Sequence, residues 1–204
     1  MIVEKFKKNI NKKIILENKV TKLSAKVKFS IDKIYKTLKK GGKIFLCGNG
    51  GSAADAQHLS AEFLVRLRPH VNRKPFPVIS LALDTSTITA CGNDLGFEQI
   101  FARNLEALAN KKDLLIAIST SGNSKNIINV LKCAKRKKIY SICFLGGSGG
   151  SAQKISNHNL IVPSNNVARI QEIHIFLGHF IFEEVENLLI KKWNLIIYKK
   201  LTQL

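Results

Sequence analysis

The chain has 204 residues, 45% of them hydrophobic, with 33 Lys and Arg against 14 Asp and Glu and a formal net charge of +19. This length suits one α/β domain with a sizeable core, and no apolar run nears the roughly 20 residues that a bilayer span needs. The charge raises nucleic-acid binding, but only six basic residues are Arg and no nucleic-acid-binding motif is visible, so the lysines read as solvated faces. The expectation is a protein with neither a specific nucleic-acid partner nor a membrane partner. The N-terminus has no compact apolar stretch ending in a small-residue cleavage site, which makes a cytoplasmic location the default.

In chain order, residues 6–16 read as a short helix. Val20, Leu23, Val27, Ile31, Ile34 and Leu38 then recur at steps of three or four, the pattern of an amphipathic helix that stops at Gly41-Gly42. Residues 1–40 are therefore expected to form a helical segment that packs on its own domain or on a neighbouring subunit. Five short apolar runs follow (44–47, 78–83, 114–118, 140–145 and 159–162), continuous rather than alternating, as in strands covered on both faces. Helical patterns at 52–65, 96–109 and 123–137 separate them, with a shorter one after Gly149-Gly150. This alternation predicts an α/β fold, a doubly wound parallel five-stranded sheet with long leading and trailing helices, over residues 41–192. The trailing helix, 167–192, carries an apolar stripe too wide for one core, which points to an oligomer. Residues 193–204 read as a C-terminal tail. Cys47, Cys91, Cys133 and Cys143 show no CxxC spacing and read as reduced core residues, not disulfides or zinc ligands.

The chemistry centres on residues 47–62. An apolar run feeds the turn Gly48-Asn49-Gly50-Gly51-Ser52, and the turn opens a helix that carries His58 and Glu62. Glycines admit a ligand close to the backbone, and the free N–H groups of a helix start favour an anion. The spacing of four puts His58 and Glu62 on one helical face, one turn apart. Ser119-Thr120-Ser121-Gly122-Asn123-Ser124 repeats the strand–turn–helix arrangement with four hydroxyls and suits a phosphate monoester, although a Ser-rich capped loop has the same look. Both loops fall at carboxyl ends of strands, where open α/β sheets bind ligands. Cys91-Gly92-Asn93-Asp94 reads on its own as a turn. On the final helix Gln171, His174 and His179 interrupt an apolar surface, and His174 is read as a hydrogen-bonded core or interface residue.

Taken together, GNGGSAADAQHLSAE (48–62), GNDLGFE (92–98), STSGNS (119–124) and ARIQEIHIFLGH (168–179) closely resemble the phosphoheptose isomerases of the sugar-isomerase (SIS) domain superfamily. The resemblance covers residues 20–190 and implies an SIS-type αβα sandwich. It implies an enzyme that interconverts sedoheptulose 7-phosphate and D-glycero-D-manno-heptose 7-phosphate, the first step toward ADP-heptose for lipopolysaccharide or surface glycans. It further implies a homotetramer with Zn²⁺ in active sites at subunit interfaces. By the same resemblance Asn49, Gly50, Gly51, Ser52, Glu62, Asn93, Asp94, Ser119, Thr120, Ser121, Ser124 and Gln171 meet the substrate. His58, Glu62, Gln171 and His179 would ligate the metal, and Glu62 and His179 would carry the protons. Gln171 and His179 lie eight residues apart, a rise of about 12 Å along a helix. One helix cannot bring both to a single ion, so the site is expected to draw on two chains.

A non-enzymatic relative that binds the replication initiator lacks the carboxylate and the histidine found here at Glu62 and His179, which favours the enzyme. A phosphosugar-sensing regulator would add a helix-turn-helix segment, and none is visible. Two departures from the family pattern stand out. Residues 66–75 are longer and more basic than usual, and Gly146-Gly147-Ser148-Gly149-Gly150 is unusually rich in glycine.

Overall fold

The computed structural model describes residues 1–82 and 84–201, the side chains of 192–201 excepted. The element order is α1 (Ile2–Val20), α2 (Ser24–Lys39), β1 (Ile44–Gly48), α3 (Gly51–Leu64), β2 (Val78–Ser80), α4 (Thr85–Asp94), α5 (Ile100–Leu108), β3 (Leu114–Ser119), α6 (Lys125–Arg136), β4 (Tyr140–Gly146), β5 (His158–Val162) and α7 (Val167–Leu201). The five strands form one parallel sheet in the order β2-β1-β3-β4-β5, with Ile44 opposite Leu114 and Leu114 opposite Tyr140. The order reverses between β1 and β3, so β1 and β3 end side by side at the point where such sheets hold ligands.

Alternate residues of each strand enter opposite layers, as the pleat requires. Ile44 and Leu46 of β1 join α1, α2, α3 and α7 in one core, while Phe45 and Cys47 join α5 and α6 in the other. The four cysteines are free and buried, as expected for core residues. Burial pushes the Cys143 thiol up to about 12, so it packs as a protonated apolar group.

Several elements differ from the sequence-based boundaries. The leading helix starts at Ile2 and runs to Val20, and a 3₁₀ turn, Thr21–Leu23, separates it from α2. The 96–109 helix begins later, at Ile100, after a 3₁₀ turn over Phe97–Gln99. Helix α4 has no counterpart among the predicted elements. Its Ser- and Thr-rich sequence has weak helix propensity, yet Asp84 caps it by accepting from the N–H groups of Ser86 and Thr87. Asn93 and Asp94 thus close a helix instead of forming a free-standing turn. The backbone of α7 continues past 192 to Leu201, into the stretch read as a tail, and residues 202–204 lie outside the described residues, as does Leu83 at the predicted end of β2. No described helix is long and apolar enough to cross a membrane.

Candidate active site

Helices α3 and α7 run side by side, and their contacts climb in step along both. At the start of α3, Gly51 lies so close to Gln171 that a Cβ there would sit 2.5 Å from the side-chain amide nitrogen. Further along, Gly178 admits Leu59, whose Cδ1 would lie 2.5 Å from a Cβ on that glycine. One turn on, the Phe63 and Phe182 rings pack with centroids 4.2 Å apart. Small residues at these crossings bring the helix axes close, and the polar side chains between them face one another.

His58, Glu62 and His179 meet in this seam. His58 Nε2 lies 2.8 Å from His179 Nε2 and 3.5 Å from Glu62 Oε1. The imidazoles stand edge to face at 83°. Two ring nitrogens 2.8 Å apart either share one proton, one donating and the other accepting, or face a common cation. One ligand atom from each residue falls within 4.8 Å of the others, and Glu62 Oε2 is buried with no hydrogen-bond partner. Imidazole nitrogen plus carboxylate oxygen is a donor set that suits Zn²⁺, and an orphaned carboxylate oxygen is what a cation would satisfy.

Burial, then the neighbouring charge of His58, hold His179 below the ordinary imidazole range against the opposing pull of Glu62. Asp55, one turn before His58, was missed by sequence reading. Its carboxyl is pushed up to about 6 by burial, its Oδ2 has no partner, and the His58 charge pulls the other way. The spacing of three from Asp55 to His58 was the one available signal. Asn126 was missed too. It exchanges two amide hydrogen bonds with Asn49, at 2.9 and 2.8 Å, and so ties the Gly-rich turn to the first turn of α6.

His174, also on α7, is fully buried and donates from Nε2 to the Leu145 carbonyl at 3.1 Å. Burial lowers it to about 4. A histidine that charges at about 6.5 when unfolded and about 4 when folded costs stability as pH falls through that window. Its share is about 3 kcal/mol by the linkage relation. Asp55 acts in the opposite sense, since its raised folded value removes stability as pH rises. Denaturant unfolding at stepped pH should therefore show a flatter acid limb for His174→Gln than for the wild type. An unchanged limb would remove His174 as its source.

At the amino-terminal end of α7 the serine loop is braced by the glycine-rich loop, residues 146–150. Gly122 and Gly150 have positive φ, and the Ala152 N–H donates to the Gly122 carbonyl at 2.9 Å. Ser119 Oγ accepts from the Gly122 N–H, so that hydroxyl shapes the loop from within. Thr120 and Ser121 line a concavity of about 240 Å³ with Ser148, Ser164 and Asn165.

The structure thus gathers three of the four predicted ligands, His58, Glu62 and His179, within one chain. Gln171 stands two helical turns away, against Gly51. Gly50, Gly51 and Ser52 open α3, with Gly50 at φ 54° as its N-cap and the Ser52 N–H bonded to the Asn49 carbonyl. Ser124 occupies the N-cap position of α6. Asn93 and Asp94 are exposed at the end of α4, and among the described residues their side chains hydrogen-bond only to each other.

Residues 6–146 match the SIS domain model. The match and the fold place the chain among the SIS-domain proteins. Relatives narrow the class. A phosphoheptose isomerase of Aliarcobacter butzleri is 52% identical over 151 residues, covering 74% of this chain and 79% of the relative. Phosphoheptose isomerase 1 of Campylobacter jejuni is 50% identical over 150 residues, covering 74% and 80%. The solved phosphoheptose isomerase of Francisella tularensis superposes with a TM-score of 0.87 at 34% identity, over 92% of this chain and 99% of that one. That of Neisseria gonorrhoeae gives 0.85 at 34%, over 92% and 100%. The chain belongs to the phosphoheptose isomerase family and is an aldose–ketose isomerase.

Proposed function

We propose that this enzyme interconverts sedoheptulose 7-phosphate and D-glycero-D-manno-heptose 7-phosphate in the cytoplasm, feeding ADP-heptose synthesis for lipopolysaccharide or surface glycans. The observation that carries the site assignment is the His58–Glu62–His179 cluster, set in a seam that begins at the Gly-rich turn. From the ketose side, a base removes a proton from C1 and the bond's electrons form the C1=C2 double bond, while the C2 oxygen takes a proton. The O1 proton then leaves, C1 becomes the carbonyl carbon, and C2 receives a proton. Glu62 moves the carbon-bound proton and His179 serves the two oxygens. The seven-carbon sugar would lie from the seam toward the serine loop. Asn49, Gly50, Gly51 and Ser52 would hold the reacting end, with Ser119, Thr120, Ser121 and Ser124 on the phosphate and Asn93, Asp94 and Gln171 along the sugar. Binding of the remote phosphate keeps the chain in register for the transfer.

His58, Glu62 and His179 would hold the Zn²⁺, with Gln171 as a fourth ligand. When bound, the ion acts as a Lewis acid toward the sugar's oxygens. The two-turn separation of Gln171 from His179 supports a site completed across copies of the chain. A homotetramer is in keeping with the apolar surface left exposed. Phe6, Ile14, Phe176 and Phe180 are all exposed, and α1, α2 and α7 enclose an apolar concavity of about 680 Å³.

Purified protein with zinc supplied should convert sedoheptulose 7-phosphate to an aldose phosphate followed by NMR, and chelator should suppress the conversion. Absence of turnover with zinc present would overturn the enzyme reading. Sedimentation of the same sample as a monomer would overturn the tetramer.

A further inference from the structure

The basic segment after Glu62 carries two arginines that meet a buried carboxylate. Glu186 lies on α7 two turns beyond His179, on the same face, and is fully buried. Its Oε1 accepts from Arg73 Nε at 2.5 Å and its Oε2 from Arg68 Nε at 2.7 Å. Arg68 is spread further, onto Asn187 and Glu183. Arg73 is committed, with a side chain only 3% exposed, and it does more than neutralise Glu186. Its Nη2 donates to the Glu62 carbonyl at 2.8 Å and its Nη1 to the Phe63 carbonyl at 2.9 Å. These are among the last carbonyls of α3, which have no partner within the helix. The guanidinium also lies over the Phe76 ring, 4.7 Å from its centroid. One planar fork thus joins the end of the helix that carries His58 and Glu62 to the helix that carries His179.

We infer that Arg73 is a positioning residue, which sets the register of α3 against α7 and thereby holds Glu62 and His58 opposite His179. This rests on the site assignment proposed above. The alignment needs such a device because, apart from the His58–His179 pair that is to be aligned, the contacts described along the seam are apolar or glycine contacts, which resist separation of the helices more than sliding along them. Arg73 grips α3 at the backbone of Glu62 itself, so a shift of the fork is a shift of the reacting carboxylate. A lysine would keep the charge for Glu186, but a single ammonium cannot reproduce the planar fork.

The test separates alignment from stability. Removing one partner of a buried ion pair destabilises, whereas replacing both with apolar residues of similar size is often tolerated. The double variant R73M/E186M should therefore fold, with Arg68 still paired through Glu183 and Asn187. It should lose kcat by about 10- to 100-fold at nearly unchanged KM, and bind Co²⁺ about 10- to 100-fold more weakly with an altered visible absorption band, the range seen when supports of metal ligands are removed. Arg73→Lys should recover thermal stability without recovering either readout, and it carries the test if the double variant does not fold. A folded double variant with wild-type kcat and Co²⁺ affinity, or full recovery in Arg73→Lys, would overturn the inference. Absence of sedoheptulose 7-phosphate turnover in the wild type would instead sink the functional reading, and the Co²⁺ comparison would still decide whether Arg73 aligns the cluster.

Discussion

Replacing Glu62 by Gln should lower turnover of sedoheptulose 7-phosphate by about 10²- to 10⁴-fold, the usual contribution of a positioned proton-transfer group. The substitution keeps the shape of the side chain and changes its charge, so the fold should persist. Helix α3 has its carboxyl end held through backbone carbonyls, and among the described residues the Arg73 fork bonds the Glu62 carbonyl and not its carboxylate. Because Glu62 is also a candidate ligand, activity alone does not separate the base from the metal. Two further measurements do. Metal content of the purified variant reports the ligand role. Exchange of carbon-bound hydrogen with D₂O reports the base, since an enediol route washes solvent deuterium into C1 and C2 through the group that carries the proton. A zinc-replete Glu62→Gln enzyme that exchanges at the wild-type rate would move the base elsewhere. Asp55, held near 6 by burial one turn before His58, would be the first residue to examine.

The sheet was legible because its signal is local. Five apolar runs separated by helical spacing are enough to specify a covered parallel sheet, and β3 and β4 fall almost where their runs begin and end. Helix α4 was not legible, because Ser and Thr favour it poorly and its start depends on one capping aspartate. The pairing of His58 with Glu62 also follows from spacing alone. Their meeting with His179, 121 residues from His58, is a tertiary fact. Only the resemblance between motifs pointed to it. The same limit hid the role of residues 66–75, which look like an irregular basic loop until Glu186 supplies the buried partner. Nothing local in sequence links Arg73 to a glutamate 113 residues away. Asn126 escaped for a similar reason, since an Asn in the first turn of a helix is ordinary until its amide is seen to face Asn49.

The second large effect is expected at Gly122. Its φ is +65°, where a residue with a Cβ is strained by about 1–2 kcal/mol. Space is the greater obstacle. A Cβ would lie 2.0 Å from the Gly149 carbonyl oxygen and 2.7 Å from its carbon, both backbone atoms of the bracing loop. Neither can swing aside as a side chain would. Gly122→Ala must therefore part the serine loop from residues 149–152, breaking the bond from the Ala152 N–H and disturbing the one from the Gly122 N–H to Ser119 Oγ. Gly150, at φ 56°, already lies so near Ser121 that a Cβ there would come 2.4 Å from its carbonyl oxygen, so the two loops have no slack on either side. The same close fit accounts for two glycines of 146–150, Gly146 and Gly150, where a Cβ would come 2.7 Å from the Thr120 carbonyl oxygen and 2.4 Å from that of Ser121. If the serine loop holds the phosphate, parting the two loops should lower kcat/KM by about 10²-fold, the scale of an ångström-level misplacement. The loss should appear mainly in KM, with weakened competitive inhibition by inorganic phosphate, while Zn²⁺ content stays as in the wild type because the His58–Glu62–His179 cluster draws on none of these atoms. A folded Gly122→Ala enzyme with unchanged KM and unchanged phosphate inhibition would place the phosphate elsewhere. The N–H groups at the start of α3 would then be the next anion site to test.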